Sequence, residues 1–440
     1  MVATAVAFSL VLAGSAQAAS LDSSFGHGGK VVTATRAKTK APKTGDYTGG
    51  VGDMAVDKKG RIVVGGSAGP RLLFLRYLPS GKIDPHFGDH GRVVVDAYGV
   101  SSFPDFVYSK VTAMAVQPDG KILAFGAQYL LQTGTQTNAV FYEVAVRLNA
   151  DGSIDPTFLG EEDGWGYGSS LLPAAITLLS GGDFLVSGRR AMSSSGSPKF
   201  EAVVEKHSSD GSPMKSFGGQ GDGQAAFPNR KSPHGGIVAT KRVHGGYLSG
   251  GYFGQQFVLM RLDKRGKLDR KFGDRNTPGM ALVSAKGDCQ CAVASSMEVD
   301  KRGRIVIGGW AFPGQKEQKY IALVRFLANG HLDKSFGSDG VLLHEVNPWV
   351  APRDIAIQPN GRILVAVTKN FPDRSSLGLY RFRSNGRIDR EFFRQGRFIQ
   401  KLGQQTAPSK IALDQKGRAL VGGGTATKRA GHILIDRVRL

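Results

Sequence analysis

Cysteine is almost missing from this 440-residue chain, which holds only Cys289 and Cys291, one residue apart. A disulfide-stapled scaffold is thereby excluded, because such folds are dense in cysteine. A four-ligand zinc site would need two further thiolate or imidazole ligands nearby, and none adjoins the pair. A local disulfide, strained by the one-residue gap, and two free thiols both remain open. Acidic residues are scarce too: 36 Asp and Glu face 57 Lys and Arg, for a net charge of +21. That excess favours anionic partners such as nucleic acid, acidic cell-surface polymers or lipid headgroups. Helical periodicity is absent, and no apolar run approaches the about 20 residues of a membrane-spanning helix. No Gly-X-Y period accompanies the 61 glycines, so collagen is excluded and tight turns are what they fit.

The one early apolar run has a different reading. Val2 to Gly14 is uncharged, and Ala16-Gln17-Ala18 supplies a small-residue cleavage pattern. No basic residue precedes the run. Residues 1–18 are expected to be a signal peptide cut after Ala18, leaving an exported chain, secreted or held at the cell envelope without a membrane span. Residues 1–20 carry no charged side chain, so the whole excess of cations belongs to the mature protein.

Repeats dominate what is present. One signature recurs as Leu21-Asp22-Ser23-Ser24-Phe25-Gly26, Ile83-Asp84-Pro85-His86-Phe87-Gly88 and Ile154-Asp155-Pro156-Thr157-Phe158. It returns at Pro213 to Phe217, with Met214 for the aspartate, and at Leu268-Asp269, Leu332-Asp333 and Ile388-Asp389, each three residues before a phenylalanine. Successive copies start 55 to 71 residues apart, the scale of a propeller blade with its loops. A second signature lies between them, clearest in Met114-Ala115-Val116-Gln117-Pro118-Asp119-Gly120-Lys121-Ile122. Short apolar runs on either side of an Asp-Gly or Asn-Gly turn predict a hairpin. A third strand, such as Leu73 to Leu78 or Ala322 to Leu327, ends in another glycine turn, and a fourth follows the phenylalanine.

Four antiparallel strands per repeat predict an all-β, seven-bladed β-propeller filling residues 19–440 as one domain. The chain ends complement each other. Ile433 to Leu440 is a third strand without a fourth, and Leu21 to Val32 a fourth without a third. Their pairing would close the ring and remove an open sheet edge.

The two signatures resemble the bacterial delta-60 repeat family, with its Leu-Asp-x-x-Phe-Gly and Gln-Pro-Asp-Gly-Lys-Ile segments. The resemblance covers nearly all of the mature chain. It implies a propeller-like repeat domain of exported proteins, and it implies no activity, cofactor or catalytic residue. Copy four departs most, at Met214, and copies three and seven have Leu159 and Phe393 where the others have glycine.

The repeated aspartates are expected to lock their own turns, and the phenylalanines to wedge between blades. Motifs that would carry catalysis fail on context. Gly65-Gly66-Ser67-Ala68-Gly69 matches a nucleophile elbow, yet no helix follows it. The chain contains no Walker loop, His-Glu-x-x-His or calcium-loop spacing, and no cofactor is expected. Long, dissimilar loops between strands two and three and between blades share one face, the first choice for a site. Their candidate ligand-face residues are Tyr98, Asp105, Tyr108, Glu162, Trp165, Tyr167, His344 and Trp349, aromatics and carboxylates that suit carbohydrate or peptide recognition. The opposite, short-turn face gathers cations, among them Lys58, Lys59, Arg61, Lys264, Arg265, Lys301, Arg302 and Arg304. Two functions follow: a monomeric, non-enzymatic binding or scaffold propeller for an acidic polysaccharide, a cell-surface polymer or a protein, and a lactonase- or glycosidase-like hydrolase or lyase with its site at the axial channel.

Overall fold

The computed structural model describes residues 19–35, 50–96, 107–131, 139–159, 165–167, 171–192, 199–227, 234–273, 276–285, 289–313, 319–346, 350–370, 375–400, 405–426 and 431–440. Alternating apolar strands separated by glycine turns assemble into seven antiparallel sheets. The N-terminal segment contributes β1 (Ser20–Leu21) and β2 (Lys30–Ala34). Blade I is β3 (Val51–Val56), β4 (Ile62–Ala68), β5 (Arg71–Tyr77) and β6 (Arg92–Val95). Blade II is β7 (Val107–Val116), β8 (Ile122–Leu131), β9 (Ala139–Leu148) and β10 (Trp165–Tyr167). Blade III is β11 (Leu171–Leu178), β12 (Phe184–Ala191), β13 (Phe200–His207) and β14 (Gln224–Phe227). Blade IV is β15 (Gly235–Val243), β16 (Gly246–Phe253), β17 (Gln256–Asp263) and β18 (Met280–Ser284). Blade V is β19 (Cys289–Val299), β20 (Ile305–Pro313), β21 (Lys319–Phe326) and β22 (Val341–Val346). Blade VI is β23 (Val350–Ile357), β24 (Ile363–Asn370), β25 (Ser375–Phe382) and β26 (Arg397–Gln400). Blade VII is β27 (Gln405–Leu413), β28 (Ala419–Ala426) and β29 (Gly431–Arg439), completed by the N-terminal strands.

The fold is thus the seven-bladed, all-β propeller that the repeats predict. Successive first strands touch from β3 through β7, β11, β15, β19, β23 and β27 and back to β3, so they line the axis. Each blade interface holds its own apolar cluster. Leu123 and Phe125 of blade II, for example, pack with Phe184, Val186 and Val203 of blade III.

Closure follows the expectation, with a narrower fourth strand. The strand is β2, Lys30–Ala34, paired in register with His432 to Asp436, rather than all of Leu21 to Val32. Residues 22–29 form the signature turn instead, since Asp22 and Phe25 must face the blade interface rather than extend the ladder. Leu21 pairs with Val438 as Ile83 pairs with Tyr77 within blade I. The break between the two chain ends therefore falls in the turn that follows the third strand.

Candidate functional site

The signature residues are consumed by the frame. Asp84 Oδ1 accepts the His86 amide at 3.1 Å, and Asp155 Oδ1 accepts that of Thr157 at 3.0 Å, as turn locks should. Their second oxygens do what the sequence did not reveal. Asp84, Asp155, Asp333, Asp389 and Asp22 each bind a buried arginine of the third strand, Arg76, Arg147, Arg325, Arg381 and Arg437, at 2.7 to 2.9 Å. Each guanidinium lies 4.4 to 4.8 Å over the phenylalanine of the same signature. Arg76, Arg147 and Arg325 also donate to Ala150, Ser209 and Ser384 carbonyls in the next blade. The phenylalanine slides under that blade's glycine turn. At Gly152, φ +94°, a Cβ would stand 2.9 Å from the Phe87 ring and 2.8 Å from the Gly88 nitrogen, so only glycine fits. The signal was legible in principle for four of these pairs, in which the arginine stands eight residues before the aspartate.

Polar side chains also gather on the axial strands. Each first strand carries a β-bulge, after which come Asp53 in blade I, Ser296 in blade V, Asp354 in blade VI and Lys410 in blade VII. Asp53 accepts its neighbour Met54 at 2.8 Å and the blade II amide of Met114 at 2.7 Å. Asp354 repeats the device, accepting Ile411 of blade VII at 2.9 Å and the Ser296 hydroxyl at 2.5 Å. Lys410 sits between them, 3.6 Å from Asp53. Burial pushes its ammonium down, but Asp53 and Asp354 outweigh that and hold it above the usual lysine range. Closer to the short-turn end, Lys241 pairs with Glu298 at 2.9 Å. Toward the other end, burial and the charge of Arg353 both push Lys110 down.

Four of the candidate ligand-face residues fall among the described residues, three in blade II and one in blade V. Tyr98, Asp105, Glu162 and Trp349 lie outside those residues. Tyr108, Trp165 and Tyr167 lie on strands rather than loops: Tyr108 pairs with Tyr129, and Trp165 and Tyr167 with Val146 and Val144. His344 is likewise a strand residue, on β22, paired with Ile321. Its ring meets Tyr380 and Phe382 edge-on at 5.8 and 5.4 Å, and burial pushes its pKa down. The strands thus run on into segments expected to be loop, because pairing tolerates polar residues at blade ends. Cys289 and Cys291 fall on β19 opposite Pro313 and Phe312, across a bulge.

On the short-turn face the expected cations divide into two sets. Arg61, Arg304 and Arg418 turn inward to Asp57, Asp300 and Asp414 at 2.6 to 2.7 Å. Lys58, Lys59, Lys264, Arg265, Lys301 and Arg302 stay exposed. The basic face therefore persists without its arginines at the strand entrances.

A seven-bladed β-propeller with a braced frame and a cationic turn face is the class this geometry defines. Residues 60–87, 117–158 and 303–336 match the model of a domain of unknown function, the DUF5122 beta-propeller, so the repeats are similar to a propeller family without an assigned role. No curated protein matches the chain. Among solved structures it is similar to a catalytically inactive virginiamycin B lyase from Staphylococcus aureus with quinupristin, at 11% identity, covering 92% of this chain and 99% of that one, TM-score 0.46. The polysaccharide lyase Uly1 is similar at 13% identity over 91% and 95% of the two chains, TM-score 0.46. A PQQ-bound aldose sugar dehydrogenase from Streptomyces coelicolor is similar at 14% over 76% and 99%, TM-score 0.41.

Proposed function

We propose that this chain is an exported binding propeller whose short-turn face takes an anionic polymer. One observation carries the reading. The acids of those turns are spent on turn amides and on inward arginines, while Lys58, Lys59, Lys301 and Arg302 stand exposed with no ion pair among the described residues. Repeat geometry places equivalent turns side by side, so these exposed cations share one face of a chain whose net charge is +21. A long polyanion would meet many weak contacts, each screened beyond about 10 Å at 0.1 M salt. The rival hydrolase or lyase would call for carboxylates or histidines converging on the channel mouth. Asp53, Asp354 and Glu298 are instead tied to amides, a hydroxyl and lysines, which suits bracing. Export is part of the proposal and rests on residues 1–18, whose removal intact mass of the secreted protein would register.

The test is retention on immobilised heparin under a rising salt gradient. A variant carrying Lys58→Gln, Lys59→Gln, Lys301→Gln and Arg302→Gln is expected to elute at clearly lower salt than the wild type. Equal elution would remove the basic face from consideration.

A further inference from the structure

Six of the seven first hairpins close over five residues, such as 57–61, 117–121 and 358–362. Blade IV alone joins β15 to β16 by two, His244 and Gly245, the latter at φ +82°. Beside it, blade III has lost the brace of the other blades. Lys206 stands where they place arginine, Met214 where they place aspartate, and Asp183 where Arg61, Lys121, Arg304, Arg362 and Arg418 stand. The pair is inverted and loosened: Lys206 Nζ lies 3.9 Å from Asp183.

The shortened turn leaves a cleft between blades III and IV. At the equivalent place between blades V and VI the cleft measures about 360 Å³; here it is about 700 Å³. Lys206, Arg242, His244 and Lys264 edge it against the single acid Asp183, and Leu179 and Val243 give it an apolar side. Tyr247 stands at its base, in the position held by Ile62, Ile122, Ile305 and Ile363 in four other blades. Its ring is 6% exposed and meets Phe217 edge-on at 6.1 Å. Its hydroxyl makes no protein hydrogen bond among the described residues and reaches the cleft rather than being sealed in the core, so it is free to meet a ligand there. Burial raises its pKa, so it stays protonated and a donor.

We infer that this cleft is a binding site for one acidic sugar unit, a ring bearing a carboxylate or sulfate beside free hydroxyls. Tyr247 donates to the anionic group, Lys206 and Arg242 balance its charge, and Asp183 accepts a ring hydroxyl. The apolar side packs against the C–H face of the sugar. The inference rests on the polyanion reading and deepens it, by giving one unit of the polymer a built pocket within the basic face.

The experiment is calorimetric titration of the full chain with an unsaturated sulfated heparin disaccharide, a glucuronate disaccharide and inorganic sulfate. At least one disaccharide is expected to bind, with Tyr247→Phe and Lys206→Gln each weakening it about tenfold or more. Tyr247→Phe keeps the buried ring, so an unchanged melting temperature separates lost binding from lost fold. The Lys58, Lys59, Lys301 and Arg302 variant should bind the disaccharide like the wild type. No disaccharide binding, unaltered affinity in Tyr247→Phe, or equal affinity for bare sulfate would overturn the inference. Heparin retention judges the polyanion reading separately, since it depends on the four residues outside the cleft.

Discussion

The brace formed by arginine, aspartate and phenylalanine changes what a single substitution should do. As a turn lock alone, Asp84 would contribute about 1 kcal/mol through its hydrogen bonds. The carboxylate also neutralises Arg76, which is 2% exposed, and removing one partner of a buried ion pair costs roughly 3–5 kcal/mol. Asp84→Ala should therefore destabilise nearly as much as Phe336→Ala, for which the loss of a buried ring predicts about 3–5 kcal/mol. Chemical denaturation of both variants checks this, and a cost near 1 kcal/mol for Asp84→Ala would leave the ion pair without energetic weight. Leu159 and Phe393 adopt left-handed φ of 63° and 44° where other copies place glycine. Their side chains offset that strain by packing, Phe393 lying 4.9 and 4.8 Å from Phe392 and Phe398.

At the scale of the element, the N-terminal strands are the ones whose loss should matter most. Removing residues 19–35 deletes β1, β2, Asp22 and the fully buried Phe25, and leaves Arg437 without its carboxylate. It also bares the β29 edge, a template for pairing with other chains. The truncated protein is expected to melt well below the intact one by calorimetry and to self-associate. A synthetic peptide of residues 19–35 should restore the transition, and an unchanged melting curve after truncation would exclude closure by these strands. Blade III and blade IV show the opposite case, where the repeat yields: a charge-inverted pair replaces the brace in blade III, a two-residue hairpin shortens blade IV, and a cleft opens between them.

For the whole molecule, opposing titrations should set an acid optimum of stability. Burial raises Asp436 from its ordinary 3.8 to about 7, against the pull of Lys30 and Gln400. Burial, with the charge of Glu205, raises Glu143 as well. Between pH 4 and 7 the folded state therefore holds protons that the unfolded chain has released, and stability falls as pH rises through that window. For Asp436 the displacement corresponds to roughly 4 kcal/mol at most. Burial would also raise Asp22, Asp84, Asp155 and Asp333, but hydrogen bonds and arginines outweigh it and hold them below 3.8. Their contribution is present above that value and is lost as pH falls toward their folded pKa. The melting temperature should peak near pH 4 to 5. Asp436→Asn should raise it at pH 8 and flatten the decline; an unaltered slope would sink the assignment.

The sequence alone determined the architecture, because blade identity rests on local chemistry repeated seven times: glycine where a turn needs it, apolar alternation between turns, and chain ends that lack complementary strands. It also determined the core role of Phe25 through Phe392, since a residue repeated in every blade serves what every blade shares. Only the tertiary structure decided which charges are spent. Arg437 and Asp22 stand at opposite ends of the chain, so no local pattern links them, and Arg61 and Lys58 look alike until the fold turns one inward. The cleft between blades III and IV was equally hidden. Met214 and the short His244-Gly245 turn are readable as lapses in the repeat, but the space they leave exists only once two neighbouring blades are packed together.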